Sequence, residues 1–379
     1  MQGEIVSAIA GFFVGILISI LPSFHPNNIS QFASAFPEPQ FFLIALYASS
    51  VVLGAIASAL LLVPDATTKA MPLPIHRFVL KGKAGYAIIL ILCSMALASI
   101  VSIIVSPFLF ALYKKAQWIS AYSLIIIACF AAYSILAEKR VLYALVYFLL
   151  SGLAGYLAFD FLSEPFLPMF SGLFGVPALL LAGKKVSKVS VDFSKPVFFS
   201  AASKVLGSLH LVFVGIVLAF FADLIPAISS DSQLAFMALV LISSSSDLII
   251  LLSTISVAHL FTTLVALSSI SAKKTGLSVA YSMFGIPGAQ EFLSLLLFVL
   301  LSISLAYFFI IFISRLQISN FSAISLAFLI GINFLANGFA GIFVLAVFSA
   351  IGYLPHALGV KRFLGMGCLI VPVLLKAVL

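Results

Sequence analysis

The stretch Tyr86-Ala-Ile-Ile-Leu-Ile-Leu-Cys-Ser-Met-Ala-Leu-Ala-Ser-Ile-Val-Ser-Ile-Ile-Val-Ser-Pro-Phe-Leu-Phe-Ala-Leu112 contains no Asp, Glu, Lys or Arg. The hydrocarbon core of a bilayer is spanned by about 20 apolar residues of helix. This run is therefore a membrane-spanning helix with length to spare. Comparable runs occupy 5–22, 41–63, 119–137, 141–160, 166–182, 205–225, 234–267, 278–313, 320–336, 338–354 and 363–379. Two are overlong and internally interrupted, the eighth by Ser243 to Ser246 with Asp247, the ninth by Gly285-Ile-Pro-Gly288.

Composition agrees. The 379 residues are 64% hydrophobic and 8% charged, with a mean hydropathy of +1.31. A soluble domain carries about 25% charged residues, so a soluble enzyme is excluded. An outer-membrane barrel would alternate apolar and polar residues in segments of about ten, and the runs here are continuous. The reading is an all-α, polytopic integral protein of the cell membrane, with about ten to twelve transmembrane helices and broken or re-entrant segments. The lipid bilayer is its first partner.

The net charge of +8 is no nucleic-acid signal. Basic residues of membrane proteins collect in cytoplasmic loops. The largest basic segments, 69–83 and 184–204, are separated by four expected spans and so fall on one side. Lys139 and Arg140 join them, and both termini count as cytoplasmic. Lys114, Lys115, Arg315, Lys361 and Arg362 then fall on the opposite side. Cys93, Cys129 and Cys368 lie in apolar runs without metal-ligand spacing and read as small buried hydrophobes. The first run begins with Glu4, not a basic segment, so it is read as a helix and not a signal peptide.

The chain matches itself. Gly11 and Pro22 correspond to Gly215 and Pro226, and Lys69 to Lys274. Gly155-Tyr-Leu157 corresponds to Gly352-Tyr-Leu354. Gly172-Leu-Phe-Gly-Val-Pro177 corresponds to Gly367-Cys-Leu-Ile-Val-Pro372. Two homologous repeats, 1–190 and 200–379, are expected, joined by a basic linker at 183–196. Six spans per half would make the repeats parallel, and one re-entrant segment more or less would make them inverted.

Enzyme motifs are absent. There is no zinc helix, nucleophile elbow or Walker loop, so no ATP site and no metal or other cofactor is expected. The chain offers broken helices instead. Pro22 ends the first helix, and Asn27 or Asn28 is suited to cap the next. Free N–H groups at such a break, carrying the positive end of a helix dipole, suit a carboxylate. The expected substrate site is Ser23, His25, Asn27 and Asn28 from one half, with Ser229, Ser230 and Ser232 from the other. An ordinary polar loop is the competing reading of the first patch. Asp231 and Asp247 are candidate ion-coupling carboxylates, since an ionisable residue in a span is a functional hypothesis by default. Lys69, His76 and Arg77 could contact an anion or simply mark the cytoplasmic side. His259, Thr262 and Thr263 share one helical face and read as interhelical hydrogen-bonding groups.

These residues carry a family resemblance. Gly11, Gly15 and Leu21-Pro-Ser-Phe-His-Pro-Asn27 resemble the first-helix pattern of the large permease subunit of tripartite tricarboxylate transporters, the TctA-like family, in its archaeal branch. Pro64, Asp65, Thr68, Leu73-Pro-Ile-His-Arg77, Leu80, Gly82, Gly85 and Tyr86 resemble a second pattern. Ser171-Gly-Leu-Phe-Gly-Val-Pro177, Leu358-Gly-Val-Lys-Arg362 and Met366-Gly-Cys368 extend it along nearly the whole chain. Ser23 and Ile75 stand where the family has glycine, and Ala66 and Thr67 where it has acidic residues. The resemblance implies a permease for a di- or tricarboxylate, coupled to Na⁺ or H⁺. It also implies a small membrane subunit and an extracytoplasmic binding protein. Two other readings are an intramembrane enzyme on a lipid-linked substrate and a non-transporting scaffold. The enzyme requires Asp223, Asp247, Glu291 and His259 to converge.

Overall fold

The computed structural model describes residues 2–21, 25–61, 75, 77–79, 81–181, 191–225, 242–315 and 318–378. Among these there is no strand. The helices are α1 (Gln2–Ile20), the single turn α2 (Asn27–Ser30), α3 (Pro39–Leu61), α4 (Ala84–Ala116), α5 (Ser123–Leu136) and α6 (Val141–Phe161). Then follow α7 (Phe166–Phe170) and α8 (Val176–Leu181), joined by a π turn at Ser171–Gly175. The rest are α9 (Lys195–Leu206), α10 (Leu209–Ala222), α11 (Ser245–Ile270), α12 (Gly276–Tyr281), α13 (Ala289–Ser314), α14 (Ile318–Leu358) and α15 (Gly367–Val378). This is a polytopic all-α membrane protein.

Among the described residues, seven helical stretches are long and apolar enough to cross a bilayer, or eight if α9 and α10, bent by 61°, form one span. Ten to twelve were expected because a hydropathy window divides what the backbone continues. The expected spans 86–112 and 119–137 form one helical stretch, Ala84–Leu136. The pair 320–336 and 338–354 is α14, kinked at Gly338, whose φ of 61° is open to glycine. The expected spans 166–182 and 363–379 contain helices too short to qualify. Both predicted interruptions are present. Ser244 caps the start of α11 by accepting from the Asp247 N–H at 3.2 Å, and Gly285 to Gly288 separates α12 from α13.

The first two long helices do not form a hairpin. Their contacts advance together along both chains. Ser7 Oγ accepts from the Glu38 N–H, Ser49 Oγ donates to Phe12 O, and Ser19 Oγ donates to Ser50 O. A methyl at Gly11 would overlap the Phe42 carbonyl, and one at Gly15 would crowd Leu46 and Ser49. The helices α1 and α3 are therefore parallel. Lipid tails are as apolar as Leu, so helices in a bilayer adhere through close backbone approach at small residues and through hydrogen bonds. Gly11, Gly15, Ser7, Ser19 and Ser49 supply both here. The helices α10 and α11 repeat the arrangement, Gly215 lying on Thr254 and Asp223 on Thr263.

Central positions fall to α3, buried along its whole length, and α11, nearly so. On α3 packs α13, and on α11 packs α4. The glycine pairs near the ends of the halves exchange partners. A methyl at Gly155 of α6 would overlap the carbonyl of Cys368 in α15. One at Gly352 of α14 would overlap the carbonyl of Leu173 in the π turn. In return, Gly367 lies on the Phe148 carbonyl and Gly172 on Leu345.

Two side assignments change. Lys361 Nζ lies 2.9 Å from Glu138 Oε1, and Arg140 Nη1 donates to Leu358 O at 3.0 Å. Lys361 and Arg362 therefore lie on the same side as Lys139 and Arg140, not opposite. The parallel packing of α1 with α3 also puts the first turn of α1 at the far end from the basic segment after α3. A count of alternating spans had put both on one side.

Candidate functional site

The segment after α1 carries the first predicted patch. The Asn27 N–H donates to His25 Nδ1 at 3.0 Å, and the Asn28 N–H to His25 O at 2.9 Å. The N–H groups of Ile29 and Ser30 go to Pro26 O. His25 is thus the residue that closes this turn, and Asn27 and Asn28 lie inside it. This corrects the expectation of free backbone N–H groups here: short-range acceptors take them all.

What the turn presents instead is the Asn27 side chain. Tyr47, two turns into α3, donates its hydroxyl hydrogen to Asn27 Oδ1 at 2.5 Å. Ser30 Oγ donates to the Asn27 carbonyl at 3.0 Å. With Oδ1 engaged, the amide offers its Nδ2 hydrogens. Buried Asn28 receives Gln31 Nε2 on its carbonyl at 3.4 Å.

Against Asn27 lies the second half of the chain. A methyl at Gly276 would overlap the Asn27 amide. Gly276 opens α12 behind a capping box, with Thr275 Oγ1 accepting from the Ser278 N–H and Ser278 Oγ from the Thr275 N–H. Nearby, Gln40 Nε2 donates to Phe284 O at 2.7 Å. The interruption after α1 and the interruption after α11 therefore meet beside the buried helix α3.

The other predicted residues divide as follows. Asp247 Oδ1 pairs with Lys204 Nζ at 2.7 Å at the start of α11. Arg77 is exposed and donates from Nη1 to Ser245 Oγ at 3.4 Å. Ser23, Lys69, His76, Ser229, Ser230, Asp231 and Ser232 lie outside the described residues. Glu291 receives the Gly288 N–H at 3.0 Å as a helix cap. Asp223 approaches His259, but Asp247 and Glu291 are held elsewhere, so the four do not converge as an enzyme would need. Among the described residues no group of three or more His, Cys, Asp or Glu could hold a metal ion.

Sequence reasoning missed Tyr47, Thr275, Gly276 and Ser278. Tyr47 carries no signal inside an apolar helix.

A whole-chain comparison decides the family. The model of the Tripartite tricarboxylate transporter TctA family matches residues 5–367. The chain belongs to the TctA family. That is a family of transporter components and not of enzymes, and membership agrees with the multi-pass membrane architecture. A relative is the uncharacterized protein MJ1079 of Methanocaldococcus jannaschii, 34% identical over 188 residues. That match covers 45% of this chain and 47% of the relative, so the chain matches about half the length of that protein. No solved structure matches the chain. In this TctA family member the Asn27 turn falls within the matched region, as do Tyr47 and Gly276.

Proposed function

We propose that the chain is the permease of an ion-coupled secondary transporter for an organic anion, a di- or tricarboxylate. The observation that carries this reading is the meeting of the Asn27 amide with Gly276, at the start of α12 and beside Tyr47. An amide donor held among apolar helices, the Asn27 Nδ2, suits a carboxylate, whose oxygens need hydrogen bonds when water is lost. Ser229, Ser230 and Ser232 would form the counterpart in the other half, with Lys69, His76 and Arg77 as further anion contacts. Asp231 and Asp247 are the carboxylates first considered for Na⁺ or H⁺.

The reading includes duplication of the chain at 1–190 and 200–379. The exchange of Gly155–Cys368 for Gly352–Leu173 supports it, as does the parallel pairing of α1 with α3 and of α10 with α11. Family membership supports a small membrane subunit and an extracytoplasmic binding protein as partners.

The test is thermal unfolding of the purified protein against a panel of di- and tricarboxylates, with and without Na⁺ and at two pH values. Binding to the native state raises the midpoint by mass action. A midpoint rise with one carboxylate that depends on Na⁺ or pH is expected. No rise across the panel would remove direct carboxylate binding by this chain.

A further inference from the structure

A second polar cluster lies apart from Asn27. Asp223 follows α10 and is 1% exposed. Its Oδ2 accepts from the Tyr113 hydroxyl of α4 at 3.2 Å, and its Oδ1 from Thr263 Oγ1 of α11 at 3.0 Å. His259 Nε2, one turn from Thr263, lies 3.7 Å from the same Oδ1. Tyr113 also reaches Phe220 O at 3.1 Å. All four side chains are buried.

Helix adhesion alone does not call for ionisable groups here. Ser19 stands three residues before Pro22 as Asp223 stands three before Pro226. Ser19 does the adhesive work with one hydroxyl, bonding Gly15 O and Ser50 O. A carboxylate and an imidazole inside spans are costly, and such residues mark ion or proton pathways. Both oxygens of Asp223 accept from neutral hydroxyls, and the His259 imidazole faces one of them at 3.7 Å, a carboxylate and a titratable ring held together inside the bundle.

We propose that Asp223 and His259 form a buried proton-binding site, and that it supplies the coupling proton for transport. The second part rests on the transport reading above; the first does not. Uptake of one proton by the imidazole leaves an N–H on Nε2 facing Asp223 Oδ1. No bond other than that N–H forms, and on release the proton returns to the aqueous phase from which it came. The titratable group that α4 turns toward the pair is Tyr113. Lys114 and Lys115 follow it on α4 but are exposed, and Lys114 Nζ sits 4.5 Å over the Phe110 ring. On α10, His210 is exposed at the opposite end of the helix from Asp223. On α11, Asp247 lies three turns before His259 and is paired with Lys204.

Proton binding is read from the imidazole carbon resonances of the full chain labelled at histidine, the His259 signal being assigned by its loss in His259→Gln. The chain has five histidines. The signal is expected to titrate once between about pH 5 and 8. Asp223→Asn should move that midpoint down by about one unit or more, since it removes the facing charge. If Asp223→Asn does not fold, Tyr113→Phe, which removes one neutral donor from the carboxylate, should move the midpoint up. A His259 signal that stays in one state across that range, or a midpoint unmoved in the folded variant, would overturn the site.

Coupling is read as the ratio of carboxylate uptake into proteoliposomes with and without an inward proton gradient. A several-fold ratio in the wild type should fall to one in His259→Gln. A merely structural role would lower both rates and keep the ratio, which would overturn coupling. No uptake in the wild type would defeat the transport reading while leaving the titration result standing.

Discussion

The side chain of Asn27 lies against the backbone of Gly276 so closely that a methyl on Gly276 would overlap its amide. One residue follows the first helix and the other the central helix of the second half. Gly276→Ala should therefore act at a distance, by pushing the Asn27 amide off its place. The carboxylate-induced rise in unfolding midpoint should be lost, while the midpoint without ligand changes little. An undiminished ligand response would show that Asn27 does not contact the substrate.

Asn27→Ala removes the amide itself. A hydrogen bond to a charged group is worth about 1.5–3 kcal/mol, or roughly ten- to a hundred-fold in affinity. Uptake should fall at least several-fold at substrate concentrations near the wild-type KM, with helical content unchanged by circular dichroism. Unchanged uptake would remove Asn27 from the site.

Tyr47→Phe tests what holds that amide. Its hydroxyl donates to Asn27 Oδ1 in the buried space beside α3. Losing it should cost about 0.5–1.5 kcal/mol of stability and weaken carboxylate binding less than Asn27→Ala does. The comparison of both variants in one titration series decides it.

Gly155 and Gly352 should respond alike. Each approaches a carbonyl of a neighbouring helix, Cys368 in one case and Leu173 in the other. A leucine at either position forces the helices apart, and overpacking of this kind costs about 1–3 kcal/mol or more. Unfolding of Gly155→Leu and Gly352→Leu should show losses of similar size. A large loss for one and none for the other would break the proposed equivalence of the halves.

Lys204 is more than a marker of the basic side. It pairs with the nearly buried Asp247, while its own side chain is 37% exposed. Lys204→Met leaves the Asp247 carboxylate without its cation, at a cost of about 1–2 kcal/mol after allowing for solvent screening. Adding Asp247→Asn should recover most of that loss in a double-mutant cycle. No recovery would mean that the two side chains do not interact energetically.

Much of this molecule was legible as sequence. Long uncharged runs dictate a helical membrane protein because backbone polar groups in lipid must be satisfied within the segment. The interruptions at Ser243–Asp247 and Gly285–Gly288 were visible because polar residues, Pro and Gly punctuate a helix locally. The Asn27 turn was visible for the same reason, although the bond from the Asn27 N–H to His25 Nδ1 that closes it was not.

Which helix lies beside which was decided only by tertiary structure. The spans are apolar on all sides, and a bilayer is as apolar as a protein interior, so no stripe marks the face that packs inward. Nothing local could predict that α1 and α3 run parallel, that Tyr47 reaches Asn27, or that Lys204 neutralises Asp247. The meeting of Asp223 with His259, on two helices that share no pattern, belongs to the same class. Sequence determined the solvent, the helices and their breaks; the packing of interchangeable apolar surfaces through a few glycines and hydroxyls determined which polar groups came together.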